Sequence, residues 1–310
     1  MCRIAGFTHF DSNMGDKYAL KKMGDSIYHR GPDAGGEYLD AHVGLAHRRL
    51  AIIDLSDAGI QPMTSHDGKY IIVFNGEIYN FQVLRAELIA VGYPFKTQTD
   101  TEVILALYAT EGEKLLSKLN GMFAFALWDT TTQKLMIARD RLGNKPLYYL
   151  QTETQFAFAS EIKAILTLPN VPRDIRLDAV YDFFAYQYVP DPKSIFTHIH
   201  KLAPGHYMTV DSEGIEITQY WDVTFKDTST ESETDLTQKL RDLATHCTKQ
   251  RMVSDVPLGA FLSGGVDSSG VVAMMANNSD TQVKTCSIGF DDKKFNETEF
   301  AKEVANKYHT

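Results

Sequence analysis

Cysteine, positive charge and long apolar runs are all scarce in this 310-residue sequence. Its three cysteines are an odd and sparse set, which excludes a disulfide framework and is typical of a reducing compartment. The formal net charge of −9 disfavours nucleic acid and anionic membranes as partners. No apolar run approaches the roughly 20 residues that cross a bilayer, and the amino terminus has no apolar signal segment. We therefore expect a cytoplasmic protein with neither a nucleic-acid nor a membrane partner.

The composition is that of a chain able to bury a hydrophobic core. Hydrophobic residues make up 44% and charged residues 23% of the sequence, and its length suggests about two domains of roughly 150 residues. The stretch 226–235 is polar and has no apolar period. We place the domain boundary there.

The amino terminus carries a reactive side chain, because Cys2 directly follows the initiator methionine. Removal of Met1 would leave a thiol and a free α-amine on one residue. A thiolate is a nucleophile, and an α-amine with a pKa of about 7.7–8.0 can take the thiol proton near neutral pH. Arg3 comes next. Its cation either lowers the pKa of the thiol or lies on the opposite face of the strand, and the sequence leaves both alternatives open.

Many strand patterns with a few helices between them predict an α+β sandwich for the first part of the chain. We expect strands at 4–7, 43–54, 69–74, 121–128, 133–140, 147–150, 155–160, 204–210 and 215–221, and helices at 16–27 and after Asn80 and Thr99, where Asn80 is a cap and Thr99 opens a capping box with Glu102. Glycine and proline predict a tight loop at 29–36. We interpret the proline-rich and aromatic stretch 169–194 as a packed connecting segment.

Polar residues at the ends of these elements are candidates for a ligand site. Arg48 and Arg49 point to opposite faces of an extended segment, so one can face inward and bind a carboxylate, although a surface arginine needs no ligand. Asn75 and Gly76 form either an oxyanion hole, from an amide and a backbone N–H, or an Asn-Gly hairpin turn. Asp100 opens a helix, where the helix dipole accommodates its charge without a ligand.

The second part of the chain alternates helix and strand patterns around a Ser/Gly motif. Its first helix carries one apolar stripe, which makes Cys247 a core residue. A buried strand at 256–262 leads into SGGVDSS at 263–269, and an apolar helix follows the motif. A further strand is expected at 283–290 and a last helix at about 297–307.

The SGGVDSS motif has the residue types of a phosphate-binding loop. Gly264 and Gly265 let the backbone approach a ligand, the serines add hydroxyl donors, and the loop opens into a helix amino terminus, which attracts anions. Asp267 can hold the Mg²⁺ that accompanies phosphates. The motif is not a Walker A loop, since it lacks the GK[ST] ending, and it is not a GxGxxG fingerprint. The alternative is a Ser/Gly turn without function.

Cys2 and SGGVDSS together make the sequence similar to the glutamine-dependent asparagine synthetases over the whole chain. The resemblance implies an α+β Ntn-hydrolase sandwich, the class II glutamine amidotransferase domain, at 1–222, a linker at 223–234, and an ATP-pyrophosphatase domain at 235–310. The latter is an α/β PP-loop (adenine nucleotide α-hydrolase-like) fold that stops here after about two strands, so we expect a truncated form. Other class II enzymes carry a different second domain and β-lactam synthetases lack the nucleophile, so the two motifs disfavour both.

The resemblance also implies roles for residues of the first domain. Cys2 attacks the side-chain amide of glutamine, forms a glutamyl thioester and releases ammonia. Asn75 and the backbone N–H of Gly76 match the oxyanion hole. The glutamine-binding positions are Arg49 for the α-carboxylate, Glu77 and Asp100 for the α-amine, and the backbone at Ile52 and Ile53. The resemblance thus takes precedence over the surface interpretation of Arg49 and the capping interpretation of Asp100.

For the second domain the resemblance implies ATP and Mg²⁺. The positions that match the ATP and pyrophosphate site are Leu262, Ser263, Gly264, Gly265, Asp267, Ser268, Ser269 and Ile288, with Asp267 as the metal ligand. The implied reaction amidates aspartate to asparagine and releases AMP and pyrophosphate, so glutamine, aspartate and ATP are the implied substrates. We expect glutamine hydrolysis itself to need no cofactor.

The sequence is compatible with three functions. The first is glutamine-hydrolysing asparagine synthesis, of which the 310-residue chain is expected to retain the glutaminase half. The second is amidation of a different carboxylate, such as a sugar acid or a peptide, by the same architecture. The third is a non-catalytic remnant, which intact Cys2, Arg49, Asn75, Glu77 and Asp100 disfavour. A homodimer is a further expectation from the resemblance.

Overall fold

The computed structural model describes residues 2–9, 16–225, 228–292 and 294–310. Its chain forms two compact units, Met1–Val223 and Thr224–Thr310. Met1 and residues 226 and 227 of the expected linker lie outside the described residues. The domain limits given above remain a prediction. In the described part of the chain, no helix combines the length and apolar character that crossing a bilayer requires.

The first unit is built from antiparallel strands. In chain order they are β1 (Arg3–His9), β2 (Ala34–Leu39), β3 (Val43–Arg49), β4 (Met63–Thr64), β5 (Tyr70–Ile78), β6 (Gly121–Asp129), β7 (Lys134–Arg139), β8 (Tyr148–Gln151), β9 (Gln155–Ala159), β10 (Ile199–Lys201), β11 (His206–Asp211) and β12 (Gly214–Gln219). Within the described residues they form two six-stranded sheets, ordered β10-β8-β9-β1-β3-β2 and β12-β11-β7-β6-β5-β4. Each predicted strand of this unit is present, although β3 ends at Arg49 and β5 continues to Ile78.

An apolar layer lies between the two sheets. Ile4 and Leu45 of the first sheet belong to the same buried cluster as Val73, Trp128 and Ile137 of the second. β6 is buried along most of its length, as its continuous apolar sequence predicts. Each fully buried large side chain stabilises the fold by about 1.5–3 kcal/mol. The layer therefore holds the strands that carry the site in a fixed arrangement.

Helices flank the sandwich. They are α1 (Lys17–Ser26), α2 (Phe81–Ala90), α3 (Asp100–Glu111), α4 (Leu115–Lys118), α5 (Ile162–Ile165) and α6 (Leu177–Tyr186). α1 and α5 contribute Leu20, Met23 and Ile165 to a cluster with Ala5 and Phe7 of β1. α3 packs against β5. The α+β sandwich predicted for this unit is confirmed.

The predicted starts of α2 and α3 are both present, and Thr99 caps α3 as predicted, whereas the side chains of Asn80 and Glu102 bond differently from the prediction. Asn80 precedes α2, but its side chain accepts from the amide of Asn120 at 3.0 Å and donates to the carbonyl of Lys118 at 2.9 Å. Thr99 caps α3 by accepting from the amide of Glu102 at 3.2 Å. The Glu102 carboxylate bonds to two upstream amides instead of completing a capping box.

The tight loop expected at 29–36 is wrong in its second half, because the residues from Ala34 belong to β2. The glycines there allow close packing instead of a turn. A Cβ on Gly35 would lie 2.5 Å from Nη1 of Arg48, and a Cβ on Gly36 would lie 2.4 Å from the carbonyl oxygen of Gln61.

The aromatic stretch 169–194 is not packed as predicted. α6 leaves Leu177, Tyr181 and Phe184 exposed by 79%, 76% and 81% of their surface. Among the residues of α6, Ala179 is buried. Aromatic composition indicates a tendency to be buried, but burial also needs a second apolar surface, which the described part of this unit does not supply.

The second unit contains α7 (Glu233–Gln250), β13 (Gly259–Phe261), α8 (Val266–Asn277), β14 (Lys284–Cys286) and α9 (Thr298–Tyr308). β13 and β14 pair in parallel. Leu262, Val272 and Ala301 form a small core between the strands and the helices that follow them. The alternation of helix and strand predicted for this part is present, with both strands shorter than expected.

Burial in the second unit differs from the prediction. Cys247 is half-buried, and Leu240 and Leu243 of its stripe are 67% and 60% exposed. The strand expected at 256–262 is reduced to β13, and its Phe261 is 80% exposed. A parallel sheet needs cover on both faces, and two strands are too few to provide apolar surface for the whole pattern.

Gly6 provides a test of how closely β1 packs. A Cβ there would lie 2.5 Å from the carbonyl oxygen of Gly44 and 2.6 Å from the ring of Phe158. We expect Gly6→Ala to lower the free energy of unfolding by about 1–3 kcal/mol in urea titrations, because the neighbouring strands must move apart. Gly24→Ala is the control, since its Cβ would make an ordinary 3.6 Å contact with Ala46 and alanine favours the helix. Equal stability of the two variants would contradict the close packing.

Candidate active site

A cavity in the first unit is lined by residues that are far apart in the sequence. Its walls come from the start of β1, the segment after β3, the second half of β5, the start of α3 and the segment before β8. The lining residues are Cys2, Arg49, Leu50, Ile52, Ile53, Gly59, Gln61, Phe74, Asn75, Gly76, Glu77, Thr99, Asp100, Thr101 and Lys145. Every first-domain residue predicted to bind or cleave glutamine is among them.

The thiol of Cys2 lies against the residue that follows β3. The amide of Leu50 donates to Cys2 Sγ at 3.3 Å, and Sγ lies 3.5 Å from the carbonyl oxygen of Leu50. Burial raises the pKa of this thiol above its ordinary value. The thiol therefore needs a base to become a nucleophile at neutral pH, and the α-amine that removal of Met1 creates is the base that the sequence predicts.

Asn75 and Gly76 lie inside β5, which excludes the hairpin-turn interpretation. Asn75 is fully buried, and its Nδ2 donates to Ser160 Oγ at 3.5 Å. A Cβ at position 76 would lie 2.2 Å from the carbonyl oxygen of Met122, so only glycine fits between β5 and β6 at this point. An amide donor and an unhindered glycine therefore adjoin the thiol in one cavity, the composition of an oxyanion hole.

Arg49 points inward at the end of β3. Its Nη1 donates to the carbonyl oxygen of Ser56 at 2.7 Å, and its Nη2 donates to the carbonyl oxygens of Ile53, at 3.4 Å, and of Asp54. These acceptors are neutral, so they orient the guanidinium without cancelling its charge. Arg48 points to the opposite face, where its Nε donates to a carbonyl oxygen of α1 at 3.1 Å. The prediction that the two arginines point to opposite faces of the strand is confirmed.

Glu77 and Asp100 form an acidic pair in the cavity. Asp100 Oδ2 accepts from the amide of Ile78 at 2.9 Å, so the carboxylate binds the neighbouring strand in addition to opening α3. Burial and, secondarily, the charge of Glu77 raise the pKa of Asp100 to about 7. Burial also raises the pKa of Glu77, and the charge of Lys145 opposes this rise. A bound cation would lower both pKa values, so the pair is suited to an ammonium group.

Two polar residues of the cavity, Lys145 and Gln61, were not predicted from the sequence. Lys145 is 1% exposed, and burial lowers the pKa of its ammonium while the charge of Glu77 raises it. Gln61 accepts from the amide of Phe74 at 2.6 Å and donates to Thr101 Oγ1 at 3.1 Å, which ties the segment before β4 to β5 and α3. The one sequence signal for Lys145 is its position next to a proline, between the charge cluster at 139–141 and the apolar strand β8. Gln61 has no sequence signal.

The structure decides between the two alternatives for Arg3. Its Nε donates to Glu161 Oε1 at 3.1 Å, and its Nη1 donates to the carbonyl oxygen of Cys2 at 3.1 Å. The guanidinium thus binds the backbone of Cys2 and a carboxylate, and the thiol lies on the other side of the strand, as alternation predicts. Arg3 is therefore a structural contact of Cys2.

In the second unit, three of the residues predicted to bind ATP line a cavity of about 240 Å³. They are Leu262, Ser263 and Ile288, which lie at the ends of β13 and β14. The remaining predicted residues follow in the adjoining loop and the first turns of α8. The residues predicted to bind ATP thus lie at one end of the parallel strands β13 and β14, which is where ligands of α/β folds bind.

The SGGVDSS loop has features that fit a phosphate group. Gly264 has a φ of +89°, and a Cβ there would lie 2.5 Å from Cβ of Phe300, so this position requires glycine. Ser269 Oγ is buried and lacks a hydrogen-bond partner in the described part of the chain. Asp267 is exposed in the first turn of α8. The described residues contain no cluster of three metal-ligating side chains, but Mg²⁺ commonly takes one or two carboxylates together with phosphate and water oxygens.

Two protein-family descriptions match the chain. Residues 1–221 match the family described as glutamine amidotransferase domain, and residues 239–310 match the family described as asparagine synthase. The chain is 44% identical over 289 residues to asparagine synthetase (glutamine-hydrolyzing) 1 of Bacillus subtilis, covering 92% of this chain and 45% of that protein. It is 38% identical over 259 residues to amidase chry2 of Gibberella zeae, covering 82% of this chain and 38% of that protein.

A solved structure supports the fold. Glutamine phosphoribosylpyrophosphate amidotransferase from B. subtilis, complexed with ADP and GMP, aligns with 95% of this chain and 68% of its own, at a TM-score of 0.53 and 17% identity. This likeness concerns the fold alone. The chain spans about half the length of the curated relatives it matches.

The pKa of Asp100 is directly measurable. In ¹³C-aspartate-labelled protein, we expect its carboxyl signal to titrate near pH 7, because burial and the neighbouring carboxylate favour the protonated form. Glu77→Gln removes that second charge and should move the midpoint to lower pH. Asp67 is the internal control, since a hydrogen bond from Ser65 lowers its pKa below the ordinary value. A midpoint for Asp100 near pH 4 would show that the carboxylate is solvated.

Proposed function

The chain belongs to the glutamine amidotransferase family, and from that premise we propose that it hydrolyses the side-chain amide of glutamine at Cys2. The supporting observation is the cavity that contains the Cys2 thiol, the Asn75 amide, the Arg49 cation and the Glu77–Asp100 pair. A thiol alone indicates no substrate. The two charged sites of opposite sign in the same cavity match the carboxylate and the ammonium of a free α-amino acid.

In the proposed complex, charge and shape orient the substrate. The planar guanidinium of Arg49 binds the α-carboxylate through two parallel hydrogen bonds. Glu77 and Asp100 accept the α-ammonium, and the backbone at Ile52 and Ile53 adds hydrogen bonds. Because both α groups are bound, the side-chain amide extends to the thiol, and glutamine within a peptide is excluded.

The proposed reaction follows from the pKa of the thiol. After removal of Met1, the free α-amine of Cys2 takes the thiol proton, and Sγ attacks the amide carbon. Asn75 Nδ2 and the Gly76 N–H stabilise the negative oxygen of the tetrahedral intermediate. The ammonium of Cys2 returns the proton to the leaving nitrogen, the C–N bond of the tetrahedral intermediate breaks, and ammonia leaves while a thioester remains on Cys2. Water, activated by the same amine, then releases glutamate.

The proposal assigns the ammonia to a second reaction in the whole protein, in which ATP activates the β-carboxylate of aspartate for amidation to asparagine. Similarity to glutamine-hydrolysing asparagine synthetases supports this assignment. The residues proposed to hold ATP and pyrophosphate are Leu262, Ser263, Gly264, Gly265, Asp267, Ser268, Ser269 and Ile288. Asp267 would hold Mg²⁺, which neutralises phosphate charge when bound. A homodimer and a cytoplasmic location belong to the same proposal.

A relative named amidase favours a second candidate. In this alternative, the same glutaminase step supplies ammonia to a different carboxylate, such as a sugar acid or a peptide. The two candidates share Cys2 and the glutamine site. They differ in the acceptor that the ATP-dependent part selects.

Glutamate release provides the first test. The purified chain should release glutamate and ammonia from glutamine in equal amounts, and intact mass should show that Met1 is absent. Cys2→Ala should abolish the activity because the nucleophile is gone, while Cys247→Ala, which changes a cysteine of the second unit, should leave it unchanged. Activity in Cys2→Ala, or activity in a chain that retains Met1, would refute the mechanism.

The arginine pair provides a matched test of substrate binding. Arg49→Lys keeps a positive charge but loses the bidentate geometry, so we expect KM for glutamine to rise by about 10- to 100-fold. Arg48→Lys is the control on the opposite face and should leave KM within about twofold. Steady-state glutaminase kinetics measure both. An equal rise in the two variants would point to damage to β3 and count against a carboxylate site at Arg49.

A further inference from the structure

A nucleophile at a chain terminus must be positioned by contacts that follow it. If Met1 is removed, as the proposed function requires, Cys2 is joined to the fold by one peptide bond. Together with the contact between Sγ and Leu50, the contacts of Arg3 and Ile4 then determine where the thiol lies relative to the oxyanion donors. Both residues are buried, at 4% and 0% exposure, so their partners are well defined.

Ser160 joins the nucleophile strand to the oxyanion donor through one side chain. The amide of Ile4 donates to Ser160 Oγ at 3.1 Å, and the amide of Ser160 donates to the carbonyl oxygen of Ile4 at 2.9 Å. The same Oγ accepts from Asn75 Nδ2 at 3.5 Å. A hydroxyl oxygen has two acceptor sites, and the amide nitrogen of asparagine has two N–H groups. One N–H of Asn75 is thereby anchored while the other remains for a substrate oxygen.

Glu161 completes this attachment on the next residue of the chain. Its Oε1 accepts from Arg3 Nε at 3.1 Å, and Arg3 Nη1 donates to the carbonyl oxygen of Cys2 at 3.1 Å. The side chain of Glu161 is 25% exposed and that of Arg3 is 5% exposed, so the pair is shielded on one side. Glu161 therefore acts on the backbone of Cys2 through Arg3.

We propose that Ser160 and Glu161 form a clamp that sets the distance between the Cys2 thiol and the Asn75 amide. Ser160 is the central positioning residue, because it contacts both sides of the reaction centre and does not line the substrate cavity. Arg49, Glu77 and Asp100, which are proposed to bind glutamine, do not bond to Ser160 or Glu161. The clamp therefore acts on the transition state and not on the binding of glutamine. The inference rests on the proposed glutaminase activity.

The test is the glutaminase kinetics of Ser160→Ala in the full chain. Loss of the hydroxyl frees Ile4 and Asn75, so we expect kcat to fall by about 10- to 100-fold and KM to stay within about twofold, since small misplacements of reacting groups cost rate. Ser194→Ala is the matched control, because Ser194 is also buried and its Oγ also accepts a backbone N–H, that of Phe196 at 3.1 Å. This control should leave kcat unchanged.

A second variant covers a failure of Ser160→Ala to fold, which thermal unfolding would reveal. Glu161→Ala removes the partly exposed half of the clamp and should lower kcat several-fold, again with little change in KM. Unchanged kcat in a folded Ser160→Ala chain, a rise in KM without a fall in kcat, or an equal loss in Ser194→Ala would overturn the clamp. Absence of glutamate release by the wild-type chain would overturn the proposed function and the clamp with it.

Discussion

Burial of charge beside Cys2 is the constraint on which the first unit depends. Arg49, Asp100 and Lys145 are almost completely removed from water, and Glu77 is half-buried next to them. An ion moved into a protein interior without partners costs several kcal/mol. The fold meets this cost with fixed dipoles: carbonyl oxygens surround the guanidinium of Arg49, and a strand amide binds Asp100. In the proposed function, a zwitterionic substrate would neutralise the remaining charges, so the same buried charges would govern stability and substrate binding.

The two sheets supply the rigidity that this arrangement requires. β1 carries Cys2 at its start, β3 ends at Arg49, and β5 carries the segment from Asn75 to Glu77. Strands of two packed sheets hold side chains more accurately than loops do. The close approach of these strands depends on glycine, since a side chain on Gly6 or Gly76 would collide with neighbouring backbone. The apolar layer thus stabilises the fold and also keeps Cys2, Asn75 and Gly76 at fixed separations.

The second unit shows that apolar pattern and burial are separate properties. α7 has the predicted stripe, and β13 and β14 form the predicted parallel pair, yet Leu240, Leu243 and Phe261 are largely exposed. The same holds for α6 in the first unit. In each case the periodicity is intrinsic to the segment, whereas burial requires a second surface. The SGGVDSS loop depends less on that surface, because its geometry arises from glycine, a helix start and its own serines.

The sequence by itself determined the features that are local. Apolar periodicity was sufficient for most of the described strands of the sandwich and most of the described helices, although β2, β4 and β10 were not predicted. Residue chemistry singled out Cys2 and SGGVDSS. The family resemblance added Arg49, Asn75, Glu77 and Asp100. Tertiary structure alone decided which side chains meet. Lys145, Gln61 and Ser160 join the site through contacts across many residues, the direction of Arg3 depends on Glu161, and the exposure of α6 and α7 depends on the surfaces available to them. Such contacts leave no repeating pattern in the amino-acid sequence, because they form only when segments that are far apart along the chain pack together.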